Sequence, residues 1–195
     1  MRLQGKVAVV TGGASGFGAG IVRKFVSEGA RVVIADINGD AARAMAEEAG
    51  KAAVAVQTDV SKSESVDALA AAAREAFGDV DILVNNAGVS HLPAPLDEIS
   101  EADFDRVLAV NVKSVYFTAR AFVPAFKARK AGVILNVAST AAVSPRPRLS
   151  WYNASKGWMV TATKSMAVEL APLKRRLAPL YLLSRTFRSP VSAGK

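Results

Sequence analysis

The 195-residue sequence has no cysteine and one histidine, His91. The first absence excludes disulfides, thiolate metal sites and cysteine nucleophiles, and it fits a reducing compartment. The second leaves no other imidazole to complete a metal site, so no metal is expected. No apolar run is long enough to span a bilayer. The start, Met1-Arg2-Leu3-Gln4-Gly5-Lys6, lacks the apolar stretch and cleavage site of a signal peptide. These absences predict a soluble, cytoplasmic protein without a membrane partner. Acid is missing at one end. None follows Glu169, whereas Lys174, Arg175, Arg176, Arg185, Arg188 and Lys195 supply most of the formal net charge of +8. The body is therefore nearly neutral. Aromatics are few, and Tyr181 and Phe187 are isolated, so the basic end lacks a platform for stacking bases. Nucleic acid is not an expected partner.

What is present is an alternation of short β-branched runs and amphipathic stretches. Val7–Val10 reads as a buried strand. Thr11-Gly12-Gly13-Ala14-Ser15-Gly16-Phe17-Gly18 follows, and then Ile21, Val22, Phe25 and Val26 recur at helical spacing. Strand, glycine-rich turn and helix in that order let a pyrophosphate approach free N–H groups at the helix start. The spacing is Gly-x3-Gly-x-Gly rather than the more general G-x-G-x-x-G. Arg31–Ala35 is a second strand. Asp36 ends it about twenty residues past the glycines, where an acid hydrogen-bonds an adenosine ribose and repels a 2′-phosphate. It is otherwise a loop aspartate before the next helix.

Gly39–Ala49 reads as a helix and Ala52–Val56 as a third strand. Asp59-Val60 stands at that strand's end, either on a ligand rim or as a helix N-cap, a job that Ser61 and Ser63 suit better. Val66, Leu69, Ala70, Ala73 and Phe77 mark a helix face. A fourth strand, Val80–Val84, runs into Asn85-Asn86-Ala87-Gly88, which can support the sheet and leave room for a flat ring, or else forms a hydrogen-bonded turn, the role expected of Asn85. His91 lies in the loop Ser90–Leu96. It is either exposed or lines a substrate pocket. Phe104, Leu108, Asn111 and Val115 share a helical face, continued by Phe122 and Phe126. Asn111 is an amide on an apolar stripe, so it marks a special site or a helix irregularity. Val133–Val137 is a fifth strand, followed by Ser139 and then by a helix from Ser150 to Leu170.

In that last helix Tyr152 and Lys156 are four apart and share one face. A phenol is a poor base near neutrality, because its ordinary pKa is near 10. A neighbouring ammonium favours the phenolate. Ser139, beyond a strand's C-terminal end, can hydrogen-bond a substrate oxygen. The three suit proton transfer to a carbonyl or from an alcohol. Taken alone, Tyr-x3-Lys is also an ordinary helix-start tyrosine with a solvated lysine. The alternation predicts an α/β fold with a parallel sheet covered on both faces. Most polar candidates fall on the edge where doubly wound sheets bind ligands.

Together, Thr11-Gly12-x3-Gly16-x-Gly18, Asp36, Asp59-Val60, Asn85-Asn86-Ala87-Gly88, Asn111, Ser139 and Tyr152-x3-Lys156 resemble the short-chain dehydrogenase/reductase family, in family order from residue 5 to about 172. Within it the chain is most similar to NAD-dependent alcohol or sugar dehydrogenases and 3-oxoacyl reductases. The resemblance implies a Rossmann-type doubly wound sheet in residues 1–172. It also implies hydride transfer between NAD(H) and a secondary alcohol or carbonyl. Tyr152 would be the general acid/base, Ser139 would hold the substrate oxygen, and Lys156 would bind the nicotinamide ribose. Asn111 would anchor a water in a proton relay. Gly12, Ser15, Gly16, Phe17, Gly18, Asp36, Ile37, Asp59, Val60, Asn86, Ala87 and Gly88, with Tyr152 and Lys156, would hold the dinucleotide. Relatives pair into homodimers or homotetramers.

The pattern breaks after the last helix. The family carries a sixth strand, a Pro-Gly turn, a substrate-covering helix pair and a seventh strand. Here Leu173–Leu183 contains no Pro-Gly, and Pro179 would interrupt a central strand. Leu180–Leu183 still has the composition of a strand, and Ser184–Lys195 reads as a basic, disordered end. This predicts a truncated or frame-altered member with residues 173–195 as a divergent tail and the fifth strand as a bare edge. The alternative function is a catalytically impaired NAD-binding domain.

Overall fold

The computed structural model describes residues 1–171 together with the backbone of Leu180 and Tyr181. Five apolar runs form parallel strands: β1 (Val7–Thr11), β2 (Arg31–Asp36), β3 (Ala53–Gln57), β4 (Ile82–Asn85) and β5 (Val133–Asn136). Each is displaced by at most a residue or two from its expected span. Between them lie α1 (Gly16–Ser27), α2 (Gly39–Ala49), α3 (Ser63–Phe77), α4 (Glu101–Leu108) and α5 (Ser114–Arg129), and α6 (Ser150–Leu170) follows β5. The sheet order is β3-β2-β1-β4-β5-β6, where β6 is Leu180–Tyr181.

Side chains of period two split between two cores. Ala8, Val10, Val32 and Ile34 face α1 and α2, where they meet Ala19, Val22, Ala42 and Met45. Val7, Val9, Val33 and Ala35 face the other way, against Leu69 and Ala73 of α3 and Phe122 and Phe126 of α5. Every residue of β1 is buried, as a strand covered on both faces requires. Each such valine contributes about 2 kcal/mol on leaving water. No helix among the described residues is long and apolar enough to cross a membrane.

Local chemistry sets two of the helix starts. Asn38 caps α2 by accepting from the Ala41 N–H at 3.0 Å, and Ser100 caps α4 by accepting from Asp103 at 3.1 Å. The expected serine cap on α3 is not observed. Its N-cap is Lys62, without a side-chain bond, because the Ser61 hydroxyl instead donates to Asp59 Oδ1 at 2.6 Å. The helix expected through Asn111 is interrupted. Residues Ala109–Lys113 form a π-helical turn between α4 and α5, with Asn111 fully buried. The misplaced amide therefore marked a real irregularity.

The bare-edge expectation is corrected over two residues. Leu180 and Tyr181 pair in parallel with Leu135 and Asn136, taking up the outer hydrogen-bonding groups of β5. The other expectations about residues 172–195, including the interrupting Pro179 and the basic end, fall outside the described residues. The strand order reverses direction between β1 and β4. The loops leaving their C-terminal ends diverge there and open a crevice, the position where doubly wound sheets receive ligands.

Candidate active site

The glycine loop between β1 and α1 is stitched to the loop after β4. The Thr11 hydroxyl accepts from the N–H groups of Asn86 and Ala87 at 3.0 and 3.1 Å. The Asn86 amide donates to the carbonyls of Thr11 and Gly12 at 2.9 and 3.0 Å. Only glycine fits at two positions. Gly12 has φ +61°, and a Cβ there would stand 3.0 Å from Ala87 Cα. A Cβ on Gly18 would overlap the Gly12 carbonyl. Gly18 is therefore a packing residue beneath the loop, whereas Gly12 and Gly16 reach the crevice.

That crevice is a cleft of about 360 Å³. Gly12, Ser15, Gly16 and Phe17 line it at the start of α1, and Asp36 and Ile37 line it at the end of β2. Asp59 and Val60 close one side, and Asn86, Ala87 and Gly88 close the other. The structure thus gathers the expected dinucleotide residues, except Gly18 below the loop and Tyr152 and Lys156 beyond it. Thr58, Val89 and Val110 also line the cleft and were not foreseen. The first turn of α1 carries no acid, so its positive end is left for an anion. Asp36 accepts from the Ala14 N–H at 3.0 Å, which joins the end of β2 to the glycine loop.

A second cavity of about 280 Å³ is lined by Tyr152, Lys156, Val137, Ala138 and Ser90. Phe17, Asn86, Gly88 and Val89 line both spaces, so the two are continuous. Lys156 is 4% exposed, and its ammonium donates to the Val137 carbonyl at 3.0 Å. Burial, which disfavours the charged form, lowers its pKa to about 8. The ammonium lies 6.0 Å from the centroid of the Tyr152 ring. Gly88 leaves room for this group, since a Cβ there would meet Lys156 Nζ at 3.2 Å and Asn111 Oδ1 at 3.4 Å.

Ser139 lies three residues past the end of β5, buried, as the N-cap of a 3-10 turn at Thr140–Ala142. Its oxygen accepts from the Ala141 N–H at 3.2 Å, which leaves its hydroxyl proton available to donate. The Asn111 amide spends both donors, on the Val89 carbonyl at 2.8 Å and on the Ser155 hydroxyl at 3.0 Å, and its oxygen accepts from the Val89 N–H at 2.9 Å. Ser155 in turn donates to the Tyr152 carbonyl at 2.7 Å. Ser155 thus joins the π-turn to the first turn of α6. Only its place inside the Tyr-x3-Lys stretch could have flagged it.

Two expectations change in detail. His91 is not exposed: it is buried to 3% relative accessibility, with Nδ1 2.8 Å from the Leu92 carbonyl. Its loop is fastened from outside, by Arg106 to the Ser90 carbonyl, by Ala94 to the Arg148 carbonyl and by Trp151 to the Leu96 carbonyl. These ties turn the ring inward. Asn85 does more than hold a turn. Its amide donates to Asn136 Oδ1 at 2.8 Å and its oxygen accepts from Thr118 at 2.9 Å, while Asn136 donates to Thr163 at 2.9 Å. This buried chain connects α5, β4, β5 and α6, with every side-chain donor satisfied.

A family model described as short chain dehydrogenase matches residues 6–178. The chain is 46% identical to 4-formylbenzenesulfonate dehydrogenase of Comamonas testosteroni, over 88% of this chain and 69% of that protein. It is 42% identical to sorbitol dehydrogenase of Cereibacter sphaeroides, over 87% of this chain and 66% of that protein. It therefore spans about two thirds of the length of these relatives. Among solved structures, 3-ketoacyl-(acyl-carrier-protein) reductase of Brucella melitensis complexed with NADH superposes with a TM-score of 0.90 at 49% identity, covering 93% of this chain and 76% of that one. With the reversed strand order, the glycine loop and the Tyr152–Lys156 pair on one continuous crevice, these matches establish that the chain belongs to the short-chain dehydrogenase family.

Proposed function

We propose that this protein is an NAD-dependent oxidoreductase that exchanges a hydride between NAD(H) and a secondary alcohol or carbonyl compound. The observation that carries the reading is the continuity of the two cavities: Phe17, Asn86, Gly88 and Val89 line both. A dinucleotide bound over the glycine loop would extend directly to Tyr152 and Lys156. The residues fit such a ligand. Gly12 and Gly88 leave space that a Cβ would fill, the acid-free start of α1 suits a pyrophosphate, and Asp36 suits a ribose diol.

When bound, the nicotinamide supplies the hydride acceptor or donor. In oxidation the alcohol carbon loses its hydride and Tyr152 Oη takes the hydroxyl proton. In reduction both return. Ser139 donates its hydroxyl proton to the substrate oxygen and fixes it. The Lys156 ammonium would bind the nicotinamide ribose beside Tyr152. With the side-chain donors of Asn111 spent on Val89 and Ser155, it would take part in a water relay to Lys156 as an acceptor.

The relatives' names, which span a sulfonated aromatic aldehyde and a sugar alcohol, support the broad class rather than one substrate. A homodimer or homotetramer, a cytoplasmic location and a division at about residue 172 belong to the same proposal. The exposed Tyr116 of α5 with Trp158 and Val168 of α6 supports the first. Sedimentation at rising concentration tests it. The main test is a screen of secondary alcohols and ketones with NAD and NADH, run beside Tyr152→Phe. Turnover lost in that variant with NADH binding kept supports the assignment. Binding without turnover of any compound points instead to a non-catalytic dinucleotide-binding domain.

A further inference from the structure

The carboxylate of Asp36 is oriented by two main-chain donors, one from each neighbouring loop. Ala14 N–H meets Oδ2 at 3.0 Å, and Asn38 N–H meets Oδ1 at 3.1 Å. Asn38 belongs to the short turn leading into α2. Burial does little to fix that turn, since Ile37 is 66% exposed where it lines the cleft. A tie to the next strand holds it instead. Gln57, the last residue of β3 and the register partner of Asp36, donates from Nε2 to the Ile37 carbonyl at 3.2 Å. The Gln57 side chain, although exposed, lies against Gly39, where an added Cβ would come within 3.0 Å of Oε1 and 3.1 Å of Cδ. The Asp36 main chain is held separately, through its carbonyl and the Thr58 N–H at 2.8 Å. Gln57 therefore acts on the turn and on the aim of the carboxylate, and leaves the strand in place.

We propose that Gln57 is a positioning residue that sets how strictly the cleft separates NAD(H) from NADP(H), by clamping the Ile37–Asn38 turn whose N–H aims Asp36. The inference rests on the dinucleotide reading and adds to it a residue remote from the ribose itself. A carboxylate aimed at a ribose accepts from the 2′-hydroxyl and excludes a 2′-phosphate. A phosphorylated ribose is accommodated only when the turn and the carboxylate swing aside. The clamp opposes that movement. Once it is removed, NADH loses a well-aimed acceptor and NADPH meets a weaker barrier.

The test is the dissociation constant of NADH and of NADPH, read by nicotinamide fluorescence on the full 195-residue chain and on Gln57→Met and Gly39→Ala. Gln57→Met keeps the side-chain length and loses the donor. It should weaken NADH about fivefold, the usual effect of one hydrogen bond, and leave NADPH as tight or tighter. Gly39→Ala pushes the Gln57 amide from its seat and should move the ratio the same way by a smaller factor. Reduced nicotinamide mononucleotide, which lacks the adenosine half, should bind all three proteins equally. A role in stability alone would weaken both dinucleotides by the same factor. An unchanged ratio in both variants, or an equal loss for both cofactors, overturns the assignment. If Gln57→Met fails to fold, the ratio for Gly39→Ala decides. A parent chain that does not bind NADH would refute the dinucleotide reading itself, and this assignment with it.

Discussion

The two halves of the crevice are built from different materials. The half over β1, β2 and β3 is rich in main chain: glycines, the start of α1, and two carboxylates, Asp36 held by the backbone of Ala14 and Asn38, and Asp59. The half over β4, β5 and α6 is made of side chains that reach across elements, with Lys156 on Val137, Asn111 on Val89 and Ser155, and Asn136 on Thr163. A surface of backbone donors suits a ligand of fixed shape and charge. Proton transfer needs side chains placed within fractions of an ångström, and buried hydrogen bonds from several elements supply that placement. The division teaches that binding and chemistry are separable here, and substitutions can act on one half alone.

The largest expected effect separates them outright. Tyr152→Phe removes the group proposed to exchange a proton with the substrate. It should lower turnover at least about a thousandfold, within the range for losing a general acid/base, while the NADH dissociation constant stays within about twofold. Steady-state kinetics beside a fluorescence titration check both. A parallel loss of binding would merge the two halves.

Lys156 reports the cost of the catalytic half. Its pKa falls from about 10.5 unfolded to about 8 folded. Below pH 8 it is charged in both states, and its burial opposes folding in full. Between pH 8 and 10.5 the unfolded chain binds the extra proton, so stability rises with pH. Lys156→Met should therefore be more stable at pH 7 by up to about 3 kcal/mol, offset in part by the lost bond to Val137. That gap should close as pH rises from 8 to 10.5. Urea midpoints of both proteins across this window measure it. A gap independent of pH would contradict the burial argument.

Asp36→Ser acts on the other half. It should reduce the preference for NAD over NADP about tenfold, the effect of a charge-assisted hydrogen bond, without changing the turnover rate at saturating cofactor. Kinetics with both cofactors check it. The smallest effect sharpens the comparison within the catalytic half. Thr163→Val leaves the Asn136 amide without its acceptor and should cost about 1–2 kcal/mol of stability. NADH affinity should be unchanged, as read by denaturation and titration on the same sample.

The cofactor half was the more legible in the sequence, and for the same reason. Its parts are local: the spacing of Gly12, Gly16 and Gly18, the strand before them, and the acid ending the next strand all lie within one short stretch. The catalytic residues were legible as types, and Asn111 stood out because an amide interrupts an apolar helical stripe. What local pattern does not carry is contact between distant segments. Val110 reaches the cleft only because the π-turn places it there. His91 turns inward because three outside hydrogen bonds fix its loop. The Asn85–Asn136–Thr163 chain exists only once β4, β5 and α6 are side by side. The start of α3 misled because Ser61 bonds Asp59 in preference to capping. Gly18 looked like a ligand residue, but the structure shows a position where two backbones meet.

The central claim is that the crevice between β1 and β4 binds NAD(H) in register with Tyr152 and Lys156. The most direct measurement is titration of the 195-residue chain with NADH, followed by displacement with NAD and NADP. The account predicts saturable enhancement of nicotinamide fluorescence, reversed by NAD at a lower concentration than by NADP. Absence of saturation, or displacement by NADP ahead of NAD, would contradict it.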